Sequence, residues 1–291
     1  MRPLLALPAA LALLALTAVP PASGESLSPE QAYPWLAAMD DRPETRPLSS
    51  TIATPDGWTR TGAEAGTLAM WLRQLPVRTD RSTVLAYDGR TIAAPAAAVI
   101  AMDVGRSDLQ QCADTAIRLL SEYQWVGGRA DELSWTFTSG DRTRWSDWRD
   151  GERFVIAGSR VERRQGAARA NTRATFRSWL DLVFTYAGTR SIAREGRTVD
   201  GAIQAGDVFV APGSPGHAVI VLDVATHPDG RRAALLGQGF MPAQELHVLD
   251  GRGVATDVVD GAWFVLPEQP DDLIDTPSWA PFSRRDARRL L

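Results

Sequence analysis

Residues 206–238 read GDVFVAPGSPGHAVIVLDVATHPDGRRAALLGQ, and the period of this stretch decides the fold. Asp207 to Ala211 and Ala218 to Ala225 are rich in β-formers, parted by the turn-forming run Pro212-Gly213-Ser214-Pro215-Gly216. Thr226 to Arg231 (THPDGR) is a hairpin turn, and Arg232 to Gln238 is the returning strand. If the chain turns about Pro228 and Asp229, Gln238 falls opposite Val219, and residues two apart share a face. His217, at the mouth of the apolar strand, and Gln238 are then diagonal neighbours about 7–8 Å apart at the backbone. A glutamine amide at that range can bond one imidazole nitrogen and fix its tautomer. Gln244 is a second candidate for the same role.

Working outward, the segments before this stretch are helical. Thr67 to Leu75 (TLAMWLRQL) sets Leu68, Trp71, Leu72 and Leu75 on one face and stops at Pro76. Ser107 to Gln124 (SDLQQCADTAIRLLSEYQ) is predicted as a helix capped by Ser107 with Gln110, its stripe running through Leu109, Cys112, Ala113, Ala116, Ile117, Leu120 and Tyr123. Ala174 to Tyr186 is predicted as another helix. Val84 to Tyr87 and Ala97 to Val104 are predicted strands. Helices first and antiparallel strands later indicate an α+β fold.

The single cysteine, Cys112, cannot make an internal disulfide, so it is either a reactive thiol or a small buried hydrophobe. With Ser107 as cap it is the fifth helical residue, and with Asp108 as cap the fourth, where the helix dipole alone is too weak to ionise a thiol. Activation needs a base, and His217 is the best placed. His227 lies in the hairpin turn, and His247 alternates with apolar neighbours as a packed strand residue does. Cys112, His217 and Gln238 thus form a candidate nucleophile–base–orienter set for hydrolysis. A thiol so paired is expected to be partly ionised near neutral pH.

The chain ends bound the setting. Residues 1–24 (MRPLLALPAALALLALTAVPPASG) join Arg2 to an apolar run and small residues, with Ala22 and Gly24 where a signal peptidase reads. This predicts an export signal and a periplasmic or secreted protein, with no membrane attachment after cleavage. Residues 25–50 are polar and proline-punctuated and read as a linker or N-terminal arm, 51–282 as one globular domain, and 283–291 as an arginine-rich tail.

Thirty-one basic against 35 acidic residues leave no basic excess for nucleic acid. The absence of a His-Glu-x-x-His pattern or of any ligand spacing argues against a zinc hydrolase, and no metal or other cofactor is expected. A rival reading is a non-catalytic binding module. Trp145 and Trp148, with Trp135 and Arg142, Arg144 and Arg149, would then form a stacking surface for a sugar or peptide.

The blocks Trp71-Leu72-Arg73-Gln74-Leu75-Pro76, Asp103-Val104-Gly105, Asp108 to Asp114, Tyr186-Ala187-Gly188-Thr189, Gly206 to Val221 and Gln238 to His247 resemble the bacterial family called domain of unknown function 4846. The resemblance covers about residues 50 to 282 and implies an exported protein. A weaker resemblance, to papain-like cell-wall peptidases of the NlpC group, rests on the order Cys112, Gly206-Asp207, His217, Gln238. It implies a papain-like arrangement in which a cysteine-bearing helix packs on an antiparallel sheet. The expected substrate is an amide or peptide bond, in peptidoglycan or another extracytoplasmic peptide. The long interval between Cys112 and His217 would hold an insertion, the tryptophan-rich segment. Gln111 stands where that group usually has aspartate.

Overall fold

The computed structural model describes residues 27–158, 160–254 and 258–291. The segment read as an export signal lies outside them. Among the described residues, no helix is long and apolar enough to cross a membrane.

The centre is a ten-stranded sheet. In chain order its strands are β1 (Thr59–Arg60), β2 (Ala96–Val99), β3 (Arg197–Thr198), β4 (Val208–Ala211), β5 (His217–Thr226), β6 (Arg232–Gln238), β7 (His247–Leu249), β8 (Val258–Val259), β9 (Trp263–Val265) and β10 (Ala287–Arg289). The path is β3-β10-β4-β5-β6-β7-β2, with β1 added beside β5 and the β9–β8 pair beside β6. All these pairings are antiparallel. The fold is α+β.

β5 reads as a nearly continuous apolar run because both its faces are covered. Ala218, Ile220 and Leu222 pack with Ala113, Ala116, Ile117 and Leu120 of helix α2 (Cys112–Val126). Val219 and Val221 pack with Phe209, Phe264 and Phe282 in a second cluster. The one charge in the run, Asp223, is fully buried and ion-paired to Arg60 and, at 2.8 Å, to Arg73 of helix α1 (Leu68–Arg73). Burying that carboxylate unpaired would cost several kcal/mol.

The hairpin register holds at the end that matters. Ile220 pairs with Gly237 and Val221 with Leu236, as a turn about Pro228 and Asp229 requires. A bulge between Val221 and Asp223 then shifts the pairing by one residue, so that Val224 faces Ala234 near the turn.

Both expectations for the chain flanks are corrected. Of the segment read as a linker or N-terminal arm, the described residues 27–50 are packed against the domain, since Tyr33, Trp35 and Leu48 are buried in the main core. The Tyr33 hydroxyl donates to the Trp71 carbonyl at 2.8 Å and the Trp35 indole donates to the Ala101 carbonyl at 2.6 Å. Thr45–Pro47 also pairs with Pro76–Arg78. Aromatic anchors in a proline-rich stretch outweigh its loop-like composition. The C-terminal segment is β10, inserted between β3 and β4 with Ala287 fully buried.

Arg289 of β10 closes on Asp207 with two bonds, at 2.7 and 2.6 Å, and the Asp207 side chain is 2 % exposed. Arg289→Ala is therefore expected to cost about 3 kcal/mol by stranding a buried carboxylate. Arg285→Ala, which breaks an exposed pair with Asp271, should cost less than about 0.5 kcal/mol. Urea denaturation of the two variants would distinguish an integral strand from a surface tail, for which the two costs would be alike.

Candidate active site

Helix α2 begins four residues later than a Ser107 cap requires, with Gln111 as cap and Cys112 as the first helical residue. The preceding residues are held out of the helix by side-chain commitments. Asp108 accepts from the Ala243 N–H at 2.6 Å and from the Gln111 side chain at 3.0 Å. The fully buried Gln110 accepts from Arg118 at 2.7 Å. The cap itself is made from inside the helix, where the Asp114 carboxylate accepts the Gln111 N–H at 3.0 Å. This correction moves Cys112 into the first turn, where unpaired N–H groups favour negative charge.

His217 opens β5, as expected, and is fully buried. Its Nε2 lies 2.8 Å from Oε1 of Gln238, the last residue of β6. Gln238 is thus the glutamine that meets the imidazole. Gln244 leaves its own Oε1 buried without a partner and is not bonded to His217. The other ring nitrogen, His217 Nδ1, is also buried with no hydrogen-bond partner.

Cys112 reaches the main chain beside His217. Its Sγ lies 3.9 Å from the Gly216 carbonyl oxygen, and the Ala218 N–H turns toward the sulfur. The ring of His217 faces the Phe282 side, with centroid distances of 5.0 Å to Phe240, 5.1 Å to Trp279 and 6.1 Å to Phe282. No hydrogen bond joins sulfur to imidazole. Two glycines allow close approaches here, Gly239 to α2 and Gly216 to Thr189 and the Ala211 main chain. A Cβ at Gly239 would lie 2.4 Å from Thr115 Oγ1, and one at Gly216 would lie 2.4 Å from Thr189 Oγ1 and 2.7 Å from the Ala211 oxygen.

Burial sets the electrostatics. It pushes the Cys112 thiol up to about 11, with the Ala218 N–H opposing and the Asp114 carboxylate adding to the rise. Burial also lowers His217 to about 4, the Gln238 bond opposing. Both groups are therefore neutral at pH 7, which corrects the expectation of a partly ionised resting thiol. The desolvation of a covered site outweighs its helix-terminal position.

His247 was read only as a packed strand residue. It is fully buried in β7, directly across from Gln238 in the β6–β7 ladder. Its Nε2 lies 3.3 Å from the Gln238 amide nitrogen, which also donates to the Ser278 hydroxyl at 2.9 Å. The sequence held a signal for His247, because a short loop after Gln238 returns the chain alongside it. For Ser278, forty residues downstream, it held none.

Both buried imidazoles stay neutral, with His247 also lowered to about 4 by burial. Between pH 6.5 and 4 the unfolded chain binds two protons that these rings refuse. Asp114 acts oppositely, since burial raises it to about 8 and the fold keeps a proton there that the unfolded chain releases. The net is about one proton in favour of the unfolded state, so stability falls as pH drops, by roughly 3 kcal/mol from pH 6.5 to 4. In His247→Gln the dependence should nearly vanish. Urea midpoints at pH 6.5 and 4.5 check both; a wild-type midpoint that does not move would mean the imidazoles are hydrated.

The tryptophan surface is corrected. Trp145 and Trp148 are buried, as is Trp135. Trp145 contacts Trp125, Phe176 and Trp179 with ring centroids 5.4–6.0 Å apart. Arginines stack over Trp148, Arg169 at 3.9 Å and Arg153 at 5.2 Å. Helix α3 (Arg173–Tyr186) supplies the facing side of the cluster through Phe176 and Trp179. These rings are core, and none is left open for a ligand. A separate cleft of about 750 Å³ is lined by Arg73, Asp207, Asp223, Arg232 and Arg289 among others, but by none of Cys112, His217 and Gln238.

The fold and site define an α+β protein in which a cysteine-bearing helix packs on an antiparallel sheet that also carries a buried histidine–glutamine pair. By its sequence, the chain belongs to the family described as domain of unknown function 4846, whose profile matches residues 48–289. No curated protein and no solved structure matches it.

Proposed function

We propose that this protein is an exported cysteine-dependent hydrolase of amide or peptide bonds, with a papain-like constellation of Cys112, His217 and Gln238. The observation that carries the reading is the state of the His217 ring. One nitrogen is held at 2.8 Å by a glutamine oxygen and the other is buried and unpartnered, while the Cys112 sulfur lies 3.9 Å from the carbonyl oxygen of the preceding residue, Gly216. A buried polar atom without a partner calls for an explanation, and a thiol proton acceptor is one. Catalytic hydrogen bonds are often unformed until substrate binds.

In the proposed reaction the Cys112 sulfur attacks the carbonyl carbon while His217 Nδ1 takes the thiol proton. The C–N bond breaks as the imidazolium returns that proton to the leaving amine. Water then attacks the thioester, giving its proton to Nδ1, and the sulfur leaves with it as thiol. The free N–H groups in the first turn of α2 would stabilise the oxyanion. The expected export favours cell-wall peptide as the substrate class.

The rings of Trp279 and Phe240 cover the imidazole, and both are partly exposed. Iodoacetamide should therefore label native Cys112 slowly, at most a tenth as fast as a free thiol at pH 7. Trp279→Ala should raise the rate severalfold by admitting water, and adding His217→Ala should remove the gain. Circular dichroism must match among the variants. Labelling in Trp279→Ala that ignores the loss of His217 would show that the imidazole does not serve the thiol.

A further inference from the structure

The bonding around Gln238 determines more than the contact to His217. His247 Nδ1 lies 3.0 Å from the Glu245 carbonyl oxygen. That oxygen only accepts, so Nδ1 carries the hydrogen. The Glu245 carboxylate is turned elsewhere, accepting from the Leu85 N–H at 2.9 Å and from Arg81 at 2.7 Å. It adds no second acceptor for the ring. Neutral His247 therefore presents a bare lone pair at Nε2, 3.3 Å from one end of the Gln238 amide. Only the NH2 end can meet a lone pair, and the same end donates to Ser278 Oγ at 2.9 Å. The carbonyl end of Gln238 must then face His217, at 2.8 Å. A carbonyl there requires the hydrogen on His217 Nε2 and leaves Nδ1 as the lone pair.

We infer that His247 is a positioning residue: through the Gln238 amide it fixes His217 as the Nε2–H tautomer, with Nδ1 bare. The chain of constraint begins at the Glu245 carbonyl and passes through four hydrogen-bonding atoms without ambiguity. Without His247 as acceptor, the amide can rotate by half a turn. Its NH2 would then face His217, whose hydrogen would move to Nδ1 and block proton acceptance from the thiol. In relation to catalysis the inference rests on the proposed hydrolase reading, but the tautomer is a property of the resting protein and can be measured without any substrate.

Long-range proton–nitrogen correlation spectra of 15N-histidine-labelled protein at pH 7 test it. The native spectrum should show a protonated Nε2 and bare Nδ1 for His217, and the reverse for His247. His247→Phe keeps the ring volume but offers no acceptor, and should show both tautomers at His217. His247→Gln, with a carbonyl near the lost Nε2, should restore the single native tautomer. Cys112-dependent turnover should follow, with kcat at least tenfold lower in His247→Phe, little change in KM, and recovery in His247→Gln. A native His217 protonated at Nδ1, or an unchanged single tautomer in folded His247→Phe, would overturn the inference. If His247→Phe does not fold, the native spectrum and His247→Gln still decide, since either can show the wrong tautomer. Correct tautomers without turnover would sustain the inference and remove the hydrolase reading instead.

Discussion

Incubated with insoluble peptidoglycan, the protein is expected to release soluble peptide fragments with new amino termini, and Cys112→Ala is expected to abolish this, by about 10⁴-fold or more. The sulfur is the only thiol in the chain, so no neighbouring cysteine can replace it. His217→Ala should be nearly as severe, because a thiol held at a pKa of about 11 cannot attack without a base. The double variant should be no worse than either single one, as befits groups acting as a unit. Gln238→Ala should cost less, about 10- to 100-fold, since it frees the imidazole's orientation without removing it. Mass spectrometry of the released material is the measurement. Fragments released equally by Cys112→Ala would remove the thiol from the mechanism. Release lost in Cys112→Ala but intact in His217→Ala would leave the thiol and discard the proposed base.

Trp145→Ala is expected to destabilise the protein by about 3–5 kcal/mol and lower its melting temperature by on the order of 10 °C. Trp145 is fully buried and sits in contact with four other rings, those of Trp125, Trp148, Phe176 and Trp179. Truncation leaves a cavity that α3 and the short helix Trp145–Arg149 cannot both collapse into. A stacking surface for a sugar or peptide would behave in the opposite way, with stability kept and ligand binding lost. Differential scanning calorimetry separates the two; a melting temperature within a degree or two of the wild type would restore the binding-surface reading.

The two results bear on different parts of the chain, and their legibility in the sequence differed for a physical reason. The hairpin from His217 to Gln238 was readable because its signals are local: alternating burial, a Pro-Asp-Gly turn, and a register set by that turn. Even there, the bulge between Val221 and Asp223 left no mark in the residue pattern. The start of α2 was misplaced because Ser107 and Asp108 have the chemistry of caps. Asp108 instead bonds the Ala243 N–H, a partner from a distant part of the sequence. Trp145 and Trp148 were ambiguous because tryptophan among arginines suits a sugar-binding face and a core lid equally. Only the position of α3 put them inside.

By itself, the sequence determined the α+β class, the family, the order of the central strands β4, β5 and β6, and the pairing of His217 with Gln238. Each of these follows from turn chemistry, from hydrophobic period, or from motifs a few residues long. Only the tertiary structure decided that the flanks 27–50 and 284–291 belong to the core, that Cys112 heads its helix, and that His247 completes the bonding of Gln238. It also decided the ionisation of the site, because the pKa of a thiol or an imidazole depends on how much water its neighbours exclude. Those neighbours, Phe240, Trp279 and Phe282, come from segments that no local pattern brings together.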